Sequence, residues 1–282
     1  MDFKKLLIVG VLCSGSAVAT ERVVSYDLGS VDTMRALQAS DQVVGLPKQA
    51  LPTYLKAFSA EQYVDVGGLK TPDSQAVKSA SPSLILITGR QGDQGTALSE
   101  IAATETVGLG SGPFWPAFEE HVQSLAKEID KQSEATSALA SLKQHIDDLR
   151  TIAQGQTMLS VTHNAGGFSV RKDPIALELL GMQAAQLPES VKAETRGTRT
   201  FMPVTAADIA AANPKVVYVV DRSQAIGQAD QALDAAAFQK QLKALGASTQ
   251  VVYLTPDLWY LSGNGLESLA LQAEELVLPF KS

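Results

Sequence analysis

The sequence predicts an α/β protein built as two lobes joined by a single long helix. Three observations predict it. Short apolar runs alternate with short helical segments in both halves of the chain, the pattern of strands packed between helices. Two runs, Leu84-Ile85-Leu86-Ile87 and Val216-Val217-Tyr218-Val219-Val220, are apolar throughout, as expected of strands buried on both faces of a parallel sheet. Between the halves, from about Phe114 to Ala153, there is almost no strand signal, and the apolar residues recur at helical spacing.

Taken in order, Arg22 to Asp27 is a short β-like run, followed by a helical segment around Val31 to Leu37. Gln42 to Pro47 is a second strand entering a Pro-rich loop. Tyr63 to Gly68, a helix at about 73–80 and the strand at Ser83 to Thr88 complete the first half. In the middle, Phe118, Val122, Leu125 and Ile129 lie on one helical face. Ala135, Leu139, Leu142, Ile146, Leu149 and Ile152 mark a second helix at about 133–153, with Ser133 and Glu134 at its start. At 1.5 Å per residue it is roughly 30 Å long, enough to run from one lobe to the other. The alternation then resumes. Thr157 to Thr162 is a strand, Asp173 to Leu180 a helix closed by Gly181, and Val216 to Val220 a strand. Phe238 to Leu245 is a helix closed by Gly246, Gln250 to Leu254 a strand, and 265–278 a final helix. These readings divide the chain into a leader (1–19), an N-terminal α/β lobe (20–131), a connecting helix (132–154) and a C-terminal α/β lobe (155–282).

The leader reads as a secretory signal peptide. Lys4 and Lys5 precede the apolar run Leu6 to Leu12, which is too short to span a bilayer, and Ala17-Val18-Ala19 supplies the small-x-small cleavage pattern. Cleavage after Ala19 removes Cys13, the only cysteine, so the mature chain has no thiol chemistry, thiolate-bound zinc or disulfide. Lipid attachment at Cys13 is disfavoured, because bulky Leu12 stands where a small residue is required. Loss of Lys4, Lys5 and Asp2 moves the net charge from −7 to −8, which argues against a nucleic-acid surface.

Enzyme signatures are missing. The chain has no GxSxG, P-loop, HExxH or post-strand GxGxxG pattern. His121 and His145 read as solvated residues on polar helix faces, and His163, beside the Ala165-Gly166-Gly167 turn, as a minor candidate near a cleft. The arginines are more informative. Arg90 and Arg222 each stand just past a buried strand, one in each half, and ligands of open α/β sheets bind beyond the carboxyl ends of strands. Guanidinium groups facing one another there suit an anionic, oxygen-rich ligand. Thr255-Pro256-Asp257-Leu258-Trp259-Tyr260 follows the strand at 250–254 and places two aromatics at the same end. Its Tyr260 phenol is suited to donate a hydrogen bond or, as phenolate, to bind a hard trivalent metal.

Three strings also carry a family resemblance: Ile87-Thr88-Gly89-Arg90-Gln91, Val220-Asp221-Arg222, and the long string from Thr255 through Gly263-Asn264-Gly265 to Ser268. With Gly45-Leu46-Pro47-Lys48, they make nearly the whole mature chain resemble periplasmic ferric-siderophore-binding proteins of the enterobactin, petrobactin and anguibactin type. The resemblance implies two Rossmann-like lobes on one backbone helix, the class III periplasmic-binding-protein type. It implies an arginine triad that cradles catecholate oxygens, with Arg90 and Arg222 as two members and Arg171 or Lys172 as the third. Tyr260 matches the family's tyrosine, a direct ferric ligand when the siderophore leaves iron incompletely coordinated. The family histidine of a Gly-Thr-His string is replaced by Arg199 in Gly197-Thr198-Arg199. Lys48 and Trp259 complete the expected ligand-binding set. The implied protein is a monomeric periplasmic component of an ABC importer. It has no catalytic activity and no permanent cofactor, carries iron only as the siderophore complex, and delivers to an inner-membrane permease. Another iron chelate, haem or cobalamin is the alternative cargo.

Overall fold

A computed structural model describes residues 20–49, 51–197 and 199–281, apart from the side chain of Arg199. The leader, with Cys13, and Thr198 lie outside the described residues.

The first half runs β1 (Val23–Ser25), α1 (Leu28–Ala36), β2 (Val43–Leu46), β3 (Val64–Asp65), the small hairpin β4 (Gly67–Gly68) and β5 (Thr71–Pro72), α2 (Ser74–Ala80), β6 (Leu84–Ile87), α3 (Gln94–Ser99) and β7 (Ala103–Thr106). Its main sheet has the order β3-β2-β1-β6-β7, with every neighbouring pair parallel. The chain builds outward from β1 to β3, then returns to place β6 on the other side of β1. That reversal is a topological switch point, where the loops leaving adjacent strands diverge and open a crevice. Asp27 lies beyond β1, and Thr88, Gly89 and Arg90 lie beyond β6. Local chemistry sets the helix starts: Asp27 accepts the Ser30 N–H of α1 at 2.8 Å, and Asp73 accepts the Gln75 and Ala76 N–H groups of α2.

Next come α4 (Phe114–Glu128) and the 22-residue α5 (Gln132–Ala153). Ala135, Leu139, Leu142, Ile146, Leu149 and Ala153 bury one stripe of α5, while Ile152, expected on that stripe, is 38% exposed. The second half runs β8 (Thr157–Asn164), β9 (Gly167–Val170), a π-helical turn at Ile175–Leu179, β10 (Gln183–Ala184), β11 (Glu194–Arg196), β12 (Arg199–Phe201), β13 (Pro203–Val204), α6 (Ala206–Ala212), β14 (Val216–Asp221), α7 (Arg222–Ala225), α8 (Ala235–Ala244), β15 (Gln250–Tyr253), α9 (Pro256–Tyr260) and α10 (Leu266–Val277). The sheet order is β13-β9-β8-β14-β15, with β10 also on β8. β8, β14 and β15 are parallel, while β9 folds back antiparallel on β8. Among the described helices, none is long and apolar enough to cross a membrane.

Several elements carry no clear sequence signal. β7 shows three exposed residues of four, and β11 is exposed throughout, so neither has the apolar run of a central strand. A larger difference lies at the C-terminus. α10 does not stay with the second lobe but packs on both α5 and α1. The buried Asp32 carboxylate of α1 accepts the Glu267 and Ser268 N–H groups at 2.9 and 2.7 Å, capping α10 from the opposite lobe. Arg35 pairs with Glu267, and Tyr54 bonds Ser262. The approach is close enough that a Cβ on Gly29 would collide with the Gly263 carbonyl oxygen. One apolar core therefore runs from Val23 and Leu86 through Leu139 and Ile146 to Tyr218 and Leu276. The single-helix connection expected from the sequence is reinforced by a second one.

Candidate functional site

The candidate site lies at the carboxyl ends of both sheets. In the first lobe, buried Gln91 fixes the turn after β6: its Oε1 accepts the Thr88 N–H at 2.6 Å and its Nε2 donates to the Leu69 carbonyl at 2.5 Å. The turn projects Arg90 across to the end of α9, where its Nη2 donates to the Tyr260 carbonyl at 2.8 Å and its Nη1 to the Leu261 carbonyl at 3.3 Å.

In the second lobe, Asp221 ends β14 and caps α7. Its carboxylate accepts from His163 Nδ1 at 3.0 Å, the Leu233 N–H at 2.6 Å and the Tyr253 hydroxyl at 2.9 Å. Burial pushes the Asp221 pKa up, but these hydrogen bonds outweigh it and hold the carboxyl below its ordinary value. A charged, fully bonded Asp221 fixes the first turn of α7 and so sets where Arg222 begins. Arg222 Nε donates to Tyr260 Oη at 2.7 Å and its Nη1 to Asn164 Oδ1 at 2.7 Å. Its guanidinium carbon lies 5.6 Å from the Tyr260 ring centroid.

Arg171, not Lys172, lies in the same cavity as Arg90 and Tyr260. Arg171 follows β9, and its guanidinium lies 5.5 Å from the ring centroid of Trp259. Its Nε is buried and has no hydrogen-bond partner among the described residues. Burial pulls the Arg171 pKa down while the neighbouring Asp173 pulls it back up, and burial pushes Asp173 up in turn. Arg90, Arg171, Trp259 and Tyr260 line one cavity of about 310 Å³. Lys172 is exposed and lines the adjoining cavity of about 570 Å³, with Asp173 and Glu178. Trp259 is itself buried, donating from its indole N–H to Glu275 at 2.7 Å, so it is the platform under Arg171.

Other expected residues stand elsewhere. Lys48 is not brought to this group: its Nζ donates to the Ala60 and Ser59 carbonyls at 2.7 and 3.2 Å, closing the 3-10 turn at Thr53–Ser59. Arg199 belongs to the two-stranded β11–β12 ribbon, paired with Arg196 and outside both main sheets. His163 is buried with both ring nitrogens occupied, by Asp221 and by the Gly166 N–H at 3.1 Å, which removes it as a ligand donor. His145 meets Glu274 at 2.8 Å on a half-open surface. His121 is not solvated: it is 8% exposed on the packed face of α4, and its Nε2 has no partner among the described residues. Sequence reasoning missed His121, Asn164 and Asn264. Asn164 was detectable only as the last residue of β8; Asn264 adopts φ 61° in the turn before α10 and lines the cavity beside Arg90. Among the described residues no three His, Cys, Asp or Glu gather as a metal site, and the phenol that stands with these arginines is that of Tyr260.

Comparison with known proteins places this geometry in context. The family model described as periplasmic binding protein matches residues 23–258. The petrobactin-binding protein YclQ of Bacillus subtilis is 32% identical over 264 residues, covering 91% of this chain and 81% of the relative. The crystal structure of YclQ superimposes with a TM-score of 0.77 at 31% identity, covering 93% of this chain and 92% of the other. The ferric-anguibactin-binding protein FatB of Vibrio anguillarum is 24% identical over 277 residues, covering 93% and 83%. The iron uptake ABC transporter substrate-binding protein PiuA of Streptococcus pneumoniae matches with a TM-score of 0.77 and 29% identity, over 90% and 91% of the two chains. The chain belongs to the periplasmic binding protein family.

Proposed function

We propose that this chain captures a ferric catecholate-type siderophore in the arginine-lined cleft and delivers it to an inner-membrane ABC permease. The observation that carries the reading is the convergence of Arg90, Arg171 and Arg222, from three separate segments, around Trp259 and Tyr260. Among the described residues none of the three is in an ion pair. Arg90 and Arg222 are steadied by neutral acceptors, two carbonyls, a phenol and an amide. Their positive charge is therefore not neutralised before a ligand arrives. A ferric catecholate is anionic and rich in oxygen acceptors, and guanidinium forks match it in charge and in geometry. The names of YclQ and FatB, matched along almost the whole chain, support the same ligand class.

Tyr260 serves as the protein's iron donor when the siderophore leaves a coordination position open. Its Oη already accepts from Arg222, which orients one lone pair and leaves another for the metal. Arg222 thus touches both the iron donor and the ligand's charge. The reading includes a mature monomer in the periplasm, released by cleavage after Ala19, that binds without turnover and keeps no permanent cofactor.

The test is a fluorescence titration of the mature protein with ferric bis- and tris-catecholates, a ferric hydroxamate and haem. Trp259, under Arg171, reports occupancy. Quenching by the catecholates alone is expected. A response only to the hydroxamate or to haem would move the cargo to another chelate of the same transport class.

A further inference from the structure

Past Arg90 the cleft continues toward the switch point of the first sheet, and there its charge changes sign. A cavity of about 310 Å³ runs from Arg90 and Asn264 to Asp27, Gly108 and His121. His121 and Gly108 also line the next one, of about 300 Å³, whose rim carries Glu105 and Glu120. Among the described residues no lysine or arginine lines this second cavity. Asp27 uses Oδ2 to cap α1, taking the Ser30 N–H and hydroxyl, and its Oδ1 accepts no hydrogen bond among the described residues. Glu105 and Glu120 are exposed and, among the described residues, unpaired.

The independent observation is His121. It is more than nine-tenths buried, it lines both cavities, and its Nε2 has no partner among the described residues. A buried polar atom without a partner costs about 1–3 kcal/mol, so packing alone does not account for a histidine here. Burial lowers its pKa, opposed by Asp27, which leaves a neutral ring with one nitrogen as acceptor.

We propose that this extension is a second subsite of the ligand cleft, which takes a protonated amine carried on the siderophore. His121 Nε2 and the Asp27 carboxylate accept its N–H groups, and Glu105 and Glu120 supply the surrounding negative field. The inference rests on the ferric-siderophore reading. It narrows the ligand to a molecule with an anionic iron centre and a cationic arm, matched to a cleft that is positive at Arg90, Arg171 and Arg222 and negative beyond.

The test compares two ferric bis-catecholamides with linkers of equal length, one containing a secondary amine and the other a methylene in its place. The parent protein is expected to bind the amine ligand at least tenfold more tightly. Asp27→Asn, which keeps an N-cap acceptor but loses the charge, and His121→Leu should each bring the ratio toward one while the methylene ligand binds as before. The double variant Glu105→Gln with Glu120→Gln lies on exposed positions and should lower the ratio without affecting folding. Arg222→Ala should weaken both ligands alike. Equal affinity of the parent for both ligands, or an undiminished preference in Asp27→Asn and the glutamate variant, would overturn the subsite alone. Failure of both ligands to bind would overturn the catecholate reading, and the subsite with it.

Discussion

Replacing Arg171 by Met, in parallel with Lys172 by Met, separates ligand binding from folding stability at adjacent residues. Arg171 holds a buried Nε–H without a partner among the described residues, and removing such a donor relieves roughly 1–3 kcal/mol. The substitution loses the stacking of the guanidinium on Trp259, worth about 0.5–2 kcal/mol. Met keeps an apolar stem on the indole face. Asp173 loses a favourable neighbour, but burial has already pushed it toward its neutral form. The two larger effects nearly cancel. Stability should stay within about 1 kcal/mol of the parent, a shift of roughly 2–4 °C in Tm. Binding has no such compensation. One charge-assisted contact to the catecholate is worth about 1.5–3 kcal/mol, a loss of roughly 10- to 100-fold in affinity. Lys172 is exposed and screened, so its substitution should cost less than about threefold. Fluorescence titration gives the affinities, and urea unfolding gives the stabilities. The reasoning fails if Lys172→Met weakens binding more than Arg171→Met does. It fails equally if Arg171→Met unfolds easily while its affinity is unchanged.

Four further outcomes are expected. Tyr260→Phe should abolish the visible charge-transfer band of a bound ferric bis-catecholate while a tris-catecholate spectrum stays the same; an unchanged bis-catecholate band would remove Tyr260 from the iron. Burial raises the Asp32 carboxyl to about 6, although hydrogen bonds from Ser268 and Glu267 pull it down. The fold therefore favours protonated Asp32, and this group's contribution, fully present below about pH 4, is lost as pH rises through about 6. Asp32→Asn should remove a pH-dependent component of up to about 3 kcal/mol, and parallel unfolding profiles for parent and variant would contradict this. Gly29→Ala would put its Cβ against the Gly263 carbonyl, so calorimetry should show a destabilisation of about 1–3 kcal/mol; an unaltered Tm would mean the α1–α10 approach is looser than described. Mass spectrometry of protein exported by a Gram-negative host should find Thr20 as the first residue, whereas a lipidated Cys13 would revise the leader.

Much of the fold was legible in the sequence because period and burial are local properties. The runs at Leu84–Ile87 and Val216–Asp221 are strands buried at every residue. The stripe from Ala135 to Leu149 is the buried face of α5. Arg222 follows its strand directly and Arg90 stands three residues past its own, so placing the strands placed both arginines at carboxyl ends. Edge strands such as β7 and β11 escaped because their side chains face water and carry no apolar signature.

By itself the sequence determined the alternation of strands and helices, the long helix between the lobes, and two cations and a phenol at strand or helix ends. These follow from backbone periodicity and from residue type. Tertiary structure decided what distant residues decide. Trp259, more than eighty residues away along the chain, holds the Arg171 guanidinium against its ring, while Lys172 lines the adjoining cavity. Asp221 and the Gly166 N–H occupy both nitrogens of His163 and remove it from the site. The carbonyls after the Thr53–Ser59 turn hold Lys48 away from it. Asp32 draws α10 back across the lobes, and packing against α4 hides His121, which the helical pattern alone had left on the surface. A side chain at a loop or helix edge has several rotamers of similar energy, and only contacts from elsewhere in the chain choose among them.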